Sequence, residues 1–116
     1  MKQIDLESII VNMLTNSFEA LKGTGGKRVI KISTIDFGEE YQIVFEDSGP
    51  GVPDNLKEWI FIPLNTTKEE DGVGLGLTIV KDIVESYNGK IEVGKSNAIG
   101  GAQFTVIFPV DEVKDE

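Results

Sequence analysis

The chain contains no cysteine and no histidine. The first absence excludes a disulfide framework and any thiolate metal site, and it fits a reducing compartment. The second removes every imidazole acid, base or metal ligand. Basic residues are scarce too: 11 Lys and Arg stand against 20 Asp and Glu, a net charge of −9. That balance argues against a nucleic-acid partner, whose phosphates need a basic footprint. No apolar run approaches the ~20 residues that span a bilayer. Met1 to Glu7 is polar and mixed in charge, unlike a basic-then-apolar leader. These absences predict a cytoplasmic chain without direct membrane contact.

What is present suits one small globular domain: 116 residues, 40% hydrophobic and 27% charged. Leu6, Ile9, Ile10, Met13, Leu14 and Leu21 recur at helical spacing after Asp5, a candidate cap, and Gly23, Gly25 and Gly26 end the pattern. Residues 28–35 and 41–45 are rich in β-branched and aromatic side chains and predict an antiparallel hairpin turning near Gly38. A glycine- and proline-rich turn over 47–53 leads to a short helix that Pro53 starts and Pro63 stops. Residues 65–71 read as a polar loop. A third helix runs from Gly76 through Leu77, Val80, Ile83, Val84 and Tyr87 to Asn88 and Gly89. Strands at 91–93 and 103–108 follow, with a turn at 99–101, and 111–116 is a charged tail expected to be disordered. Helices alternating with hairpins predict an α+β fold, a two-layer sandwich with helices on one face of a mixed, mostly antiparallel sheet.

Three short constellations carry chemistry. Asn12 and Asn16 lie one helical repeat apart, about 40° around the axis, so their amides point the same way. They form either a plain solvent face or a face toward a polar ligand, and an amide oxygen suits Mg²⁺. Asp47-Ser48-Gly49-Pro50-Gly51 is a turn after a strand; its carboxylate only accepts hydrogen bonds, which suits an exocyclic amine such as that of adenine. Gly72-Val73-Gly74-Leu75-Gly76 opens a helix, placing backbone N–H groups at its positive end as a phosphate cradle, unless it is a mere hinge. It is not a dinucleotide fingerprint, because Leu77 stands where the third glycine belongs, and no Walker A pattern occurs. An acidic chain has no favourable overall field for a tetra-anion, so the attraction must be local.

Taken in order, these boxes resemble the GHKL ATP-binding superfamily. Asn12 to Ala20 is similar to its N box, Asp47 to Gly51 to its first glycine box, Ile60 to Leu64 to its F box and Gly72 to Gly76 to its second glycine box. Thr66-Thr67-Lys68 resembles the lid motif of sensor kinases of the nitrogen-regulation type, and Gly100 to Thr105 the start of the last strand. The match runs from about Leu6 to Pro109, within one domain over 1–110, and implies a Bergerat-type fold, ATP and Mg²⁺. The resemblance implies Asn16 as the Mg²⁺ ligand, with Asn12 beside it at the phosphates. It implies that Asp47 reads the adenine amine, that Gly49 and Gly51 let the base approach, and that Thr105 assists Asp47 through a water. Thr67 and Lys68 reach the phosphates from the lid, and Gly72, Val73, Gly74, Leu75, Gly76 and Leu77 wrap them. Phe61 is either a packing residue at the lid base or plain core.

The branches that hydrolyse ATP or phosphorylate serine carry a glutamate base four residues before the metal asparagine. Asn12 occupies that place, and an amide has no usable proton affinity near neutral pH. The pattern is that of sensor histidine kinases, where a neutral imidazole is already nucleophilic and positioning suffices. Asn12 and Lys68 are then the catalytic candidates. The implied partners are a helical dimerisation and phosphoacceptor domain and, through it, a response regulator. A stand-alone ATPase and a binding module without transfer are the alternatives. Four departures stand out: Ser8 replaces an acidic residue, histidine or glutamine, Glu19 replaces a lysine, Tyr87-Asn88-Gly89 replaces histidine-glycine-glycine, and no strand precedes the first helix. One sheet edge is therefore expected to be bare.

Overall fold

The computed structural model describes residues 1–63 and 76–110. Helix α1 runs Gln3–Leu21, and its buried stripe is Ile9, Met13, Ser17 and Leu21 at successive i+4 positions. It starts at Lys2 without a side-chain cap. Asp5 is not the expected cap: it lies inside the first turn, where its carboxylate accepts the Tyr87 hydroxyl. The C-terminal end is closed by Thr24, whose Oγ1 donates to the Leu21 carbonyl at 2.8 Å.

Strand β1 (Ile30–Asp36) and strand β2 (Glu40–Asp47) form the expected hairpin. Its turn is fixed by the Gly38 N–H donating to Asp36 Oδ1 at 2.8 Å. Between Pro53 and Pro63 the expected helix is instead two 3-10 turns, Asp54–Leu56 and Trp59–Phe61. Their amides reach back three residues, as in Leu56 to Pro53 and Ile62 to Trp59, a spacing suited to short connectors. The second turn is also tied sideways, since Thr78 Oγ1 donates to the Phe61 carbonyl at 3.1 Å.

Helix α2 (Gly76–Ser86) buries Val80 and Val84 and ends at Asn88, which adopts the left-handed conformation (φ 64°). Strand β3 (Lys90–Lys95) and strand β4 (Ala102–Pro109) complete a sheet of order β1-β2-β4-β3. All three pairings are antiparallel, so among the described residues the sheet is not mixed. Strand alternation sends Ile43, Phe45, Phe104, Val106 and Phe108 to one face, where they meet Ile9, Met13, Val80 and Val84. The two helices cover that face. They run antiparallel, because Tyr87 near the end of α2 bonds Asp5 near the start of α1, while Gly76 at the start of α2 lies against Asn12. β1 is an edge strand, with its outer side unpaired among the described residues. Beside it lies an open, mainly apolar groove lined by Leu14, Phe18, Leu21, Ile30 and Ile32 together with Lys22 and Arg28. No described helix is long and apolar enough to cross a membrane. The tail at 111–116 lies outside the described residues.

Candidate functional site

Asp47 is the last residue of β2, and alternation from Phe45 turns its side chain to the helix-covered face. It is 1% exposed. Oδ1 accepts the Gly49 N–H at 2.9 Å and the Ala102 N–H at 3.3 Å. The other carboxylate oxygen has no hydrogen-bond partner among the described residues. A carboxylate sunk this far is costly unless its acceptors are used, so the free oxygen marks a place for a donor from outside.

The backbone around Asp47 is crowded in a way that requires glycine. A Cβ on Gly101 would stand 2.2 Å from the Asp47 carbonyl oxygen and 2.6 Å from Oδ1. One on Gly49 would stand 3.0 Å from the carbonyl oxygen of Ala20, near the end of α1. Gly51 has φ +82°, a conformation that glycine adopts without strain. Ser48 anchors the turn from the other side, its Oγ accepting the Val29 N–H at 2.8 Å.

Asn12 is half-buried on α1, and its Nδ2 donates to the Ser8 carbonyl at 2.7 Å and to Ser8 Oγ at 3.3 Å. Those bonds turn the amide oxygen toward the start of α2, where a Cβ on Gly76 would lie 3.4 Å from it. The shorter of these bonds is to the Ser8 backbone and does not depend on its side chain; the Ser8 hydroxyl adds the longer one. Asn16 lies between Asn12 and Ala20 on the same side of α1, so three elements meet along one helix face. The Asp47 turn is at one end and the α2 N-terminus at the other, about 12 Å apart by the helical rise. The α2 N-terminus carries partial positive charge suited to an anion. Glu19, in the place of a lysine, pairs with Lys22 at 3.3 Å. No group of three or more acidic, histidine or cysteine residues suited to a metal occurs among the described residues. An ion here would take an amide oxygen, waters and a ligand's own oxygens, a set that fits Mg²⁺.

Thr105 requires a correction. It alternates with Phe104 and Val106, which enter the core, and it stands across from Val44 and Glu92. Its side chain therefore lies on the opposite face of the sheet from Asp47, and the Ala102 N–H takes the role of bracing the carboxylate. The Phe61 ring meets Phe104 edge-on at 6.4 Å, and Leu77 packs against the core. Thr67, Lys68, Gly72, Val73, Gly74 and Leu75 lie outside the described residues. Gly101 and Ala102, read from the sequence only as the start of the last strand, brace Asp47 and are the site residues whose role sequence reasoning missed. The Gly100-Gly101 pair before an apolar strand was the available signal.

Residues 1–112 match the family of histidine kinase-, DNA gyrase B- and HSP90-like ATPases. The chain belongs to that family. It is 34% identical over 119 residues to hybrid signal transduction histidine kinase D of Dictyostelium discoideum, a match covering 96% of this chain and 8% of that protein. It is 31% identical to the sensory histidine kinase/phosphatase NtrB of Escherichia coli O157:H7, over 90% of this chain and 32% of that one. The chain thus spans a third or less of these relatives' length. Among solved structures, the catalytic domain of histidine kinase ThkA superposes with a TM-score of 0.78 at 33% identity, covering 93% of this chain and 69% of that one. Within this ATPase family the chain is a catalytic ATP-binding domain of the sensor histidine kinase type. The four-stranded antiparallel sheet under two helices is the matching architecture.

Proposed function

We propose that this domain binds Mg-ATP in the cytoplasm and donates the γ-phosphate to a histidine on a separate helical dimerisation and phosphoacceptor domain, from which a response regulator is served. The observation that carries the reading is the Asp47 carboxylate: buried, braced through Oδ1, and with its second oxygen free among the described residues. An acceptor held in that way selects an exocyclic amine and rejects a carbonyl, which favours adenine. Asn16 would hold the ion, Asn12 and the α2 N-terminus would hold phosphate oxygens, and Gly49 and Gly51 would let the base approach the backbone. The family resemblance adds Thr67, Lys68 and the Gly72–Leu77 backbone as phosphate contacts. A bound Mg²⁺ supplies charge neutralisation on the phosphates.

In the transfer, an acceptor imidazole nitrogen forms a bond to the γ-phosphorus while the bond to the bridging oxygen of ADP breaks. Asn12 removes no proton, so catalysis rests on alignment and on neutralising charge. The test mixes the chain with acceptor helices and γ-labelled ATP, then measures acid-labile phosphoprotein beside released phosphate. Labelled acceptor with little release is expected. Rapid release without acceptor would assign a free-standing ATPase, and tight Mg-ATP binding with neither outcome would assign a binding module.

A further inference from the structure

We infer that Ser96 is a positioning residue for base recognition: together with Glu46 it clamps the turn 96–101 that braces Asp47. The inference rests on the adenine-reading role proposed for Asp47. Ser96 is wholly buried and Glu46 is 7% exposed. Ser96 Oγ donates to Glu46 Oε2 at 2.7 Å and accepts the Ile99 N–H at 3.0 Å. Its backbone closes the same turn, since the Ser96 N–H reaches the Gly101 carbonyl at 2.7 Å and the Ser96 carbonyl accepts the Gly100 N–H at 2.8 Å. Every polar group of Ser96 is thus spent on the turn or on β2.

Glu46 and Asp47 are consecutive on β2, so their side chains leave opposite faces of the sheet. Each holds the same turn from its own side: Glu46 through the Ser96 hydroxyl, Asp47 through the Ala102 N–H. Between them the Gly101 backbone is pressed against the Asp47 carbonyl with no room for a Cβ. The Asp47 Oδ1–Ala102 contact is long at 3.3 Å, so a small displacement of the turn breaks it and leaves the carboxylate held by the Gly49 N–H alone. Glu46 has no ion pair among the described residues. A buried carboxylate satisfied chiefly by one hydroxyl is an expensive way to fill space, and it is understandable where the position of that hydroxyl matters.

The test compares Ser96→Ala with the wild-type chain in two measurements. Calorimetry gives affinity for ATP and for inosine triphosphate, which has a carbonyl where adenine has its amine. Amide hydrogen exchange by NMR reports Ala102 in the nucleotide-free protein. Ser96→Ala is expected to lower the ATP preference about tenfold, chiefly by weakening ATP, and to speed Ala102 exchange. Glu46→Ala is expected to do the same from the other side without leaving a buried charge unpaired, and Glu46→Gln, whose carbonyl still accepts the hydroxyl, to restore much of the loss. A parallel fall in both affinities with the preference intact would overturn the inference, as would unchanged Ala102 exchange. If the wild-type chain shows no preference for ATP, the adenine reading of Asp47 fails, and with it the base-recognition role; the exchange measurement still decides whether the clamp exists.

Discussion

Asp47 combines burial with an acceptor oxygen that no described residue uses, and residue-scale predictions turn on that pairing. In Asp47→Asn the amide can present its N–H₂ group where the carboxylate oxygen stood, so the position no longer only accepts. ATP affinity is expected to fall at least tenfold, about 1.4 kcal/mol, with a smaller loss for inosine triphosphate. Calorimetry on the variant checks both. Gly101 allows a sharper test of packing. An added methyl meets the Asp47 carbonyl oxygen, Oδ1 and the Gly49 nitrogen all within 2.7 Å, and the obstacles are backbone or a braced side chain. Gly101→Ala is expected to cost about 1–3 kcal/mol as overpacking, read by denaturant titration, and to weaken ATP binding as well. An alanine variant as stable as the wild type would mean that the turn sits further from β2 than the structure places it.

At the scale of elements, the antiparallel helix pair is latched at one end by Tyr87. Its hydroxyl donates to Asp5 and accepts the Lys2 N–H at 3.0 Å. The bond to Asp5 raises the Tyr87 pKa above its ordinary value of 10.0. A folded-state pKa above the unfolded one means a contribution present through neutral and mildly alkaline pH, lost as pH rises through the raised value. Tyr87→Phe is therefore expected to melt below the wild type at pH 8, with the gap closing at the alkaline end of a melting series. A gap independent of pH would remove the hydroxyl from the account. Much of this architecture was legible because apolar spacing reports what each element buries: Ile9 and Met13 on α1, Val80 and Val84 on α2. Asp5 was misread because a cap and a first-turn acceptor look alike until its partner, 82 residues away, is known. Thr105 was misread against a signal already present, since Phe104, Val106 and Phe108 fix the parity of β4. The Gly100-Gly101 pair marked the start of the last strand, but the bracing role of Gly101 and Ala102 was not legible, because it follows from the register of β2 with β4 and from how the 96–101 turn folds back.

For the whole molecule, a net charge of −9 sets the problem of attracting a nucleotide against the overall field. On the proposed reading the attraction is local, since the α2 N-terminus, two asparagines and a braced carboxylate lie on one side of α1. The absence of histidine from the sequence means that labelled phosphate transferred to histidine must appear on another domain. Asn12 stands where the hydrolytic branches carry their glutamate and cannot itself take a proton, which makes slow hydrolysis by the isolated chain the natural companion of the proposed transfer. The most direct test of the account is calorimetry of the wild-type chain with ATP and with inosine triphosphate, each with and without Mg²⁺. Magnesium-dependent binding of ATP, with inosine triphosphate at least tenfold weaker, is the predicted result. Equal affinity for the two nucleotides, or ATP binding indifferent to the ion, would contradict it.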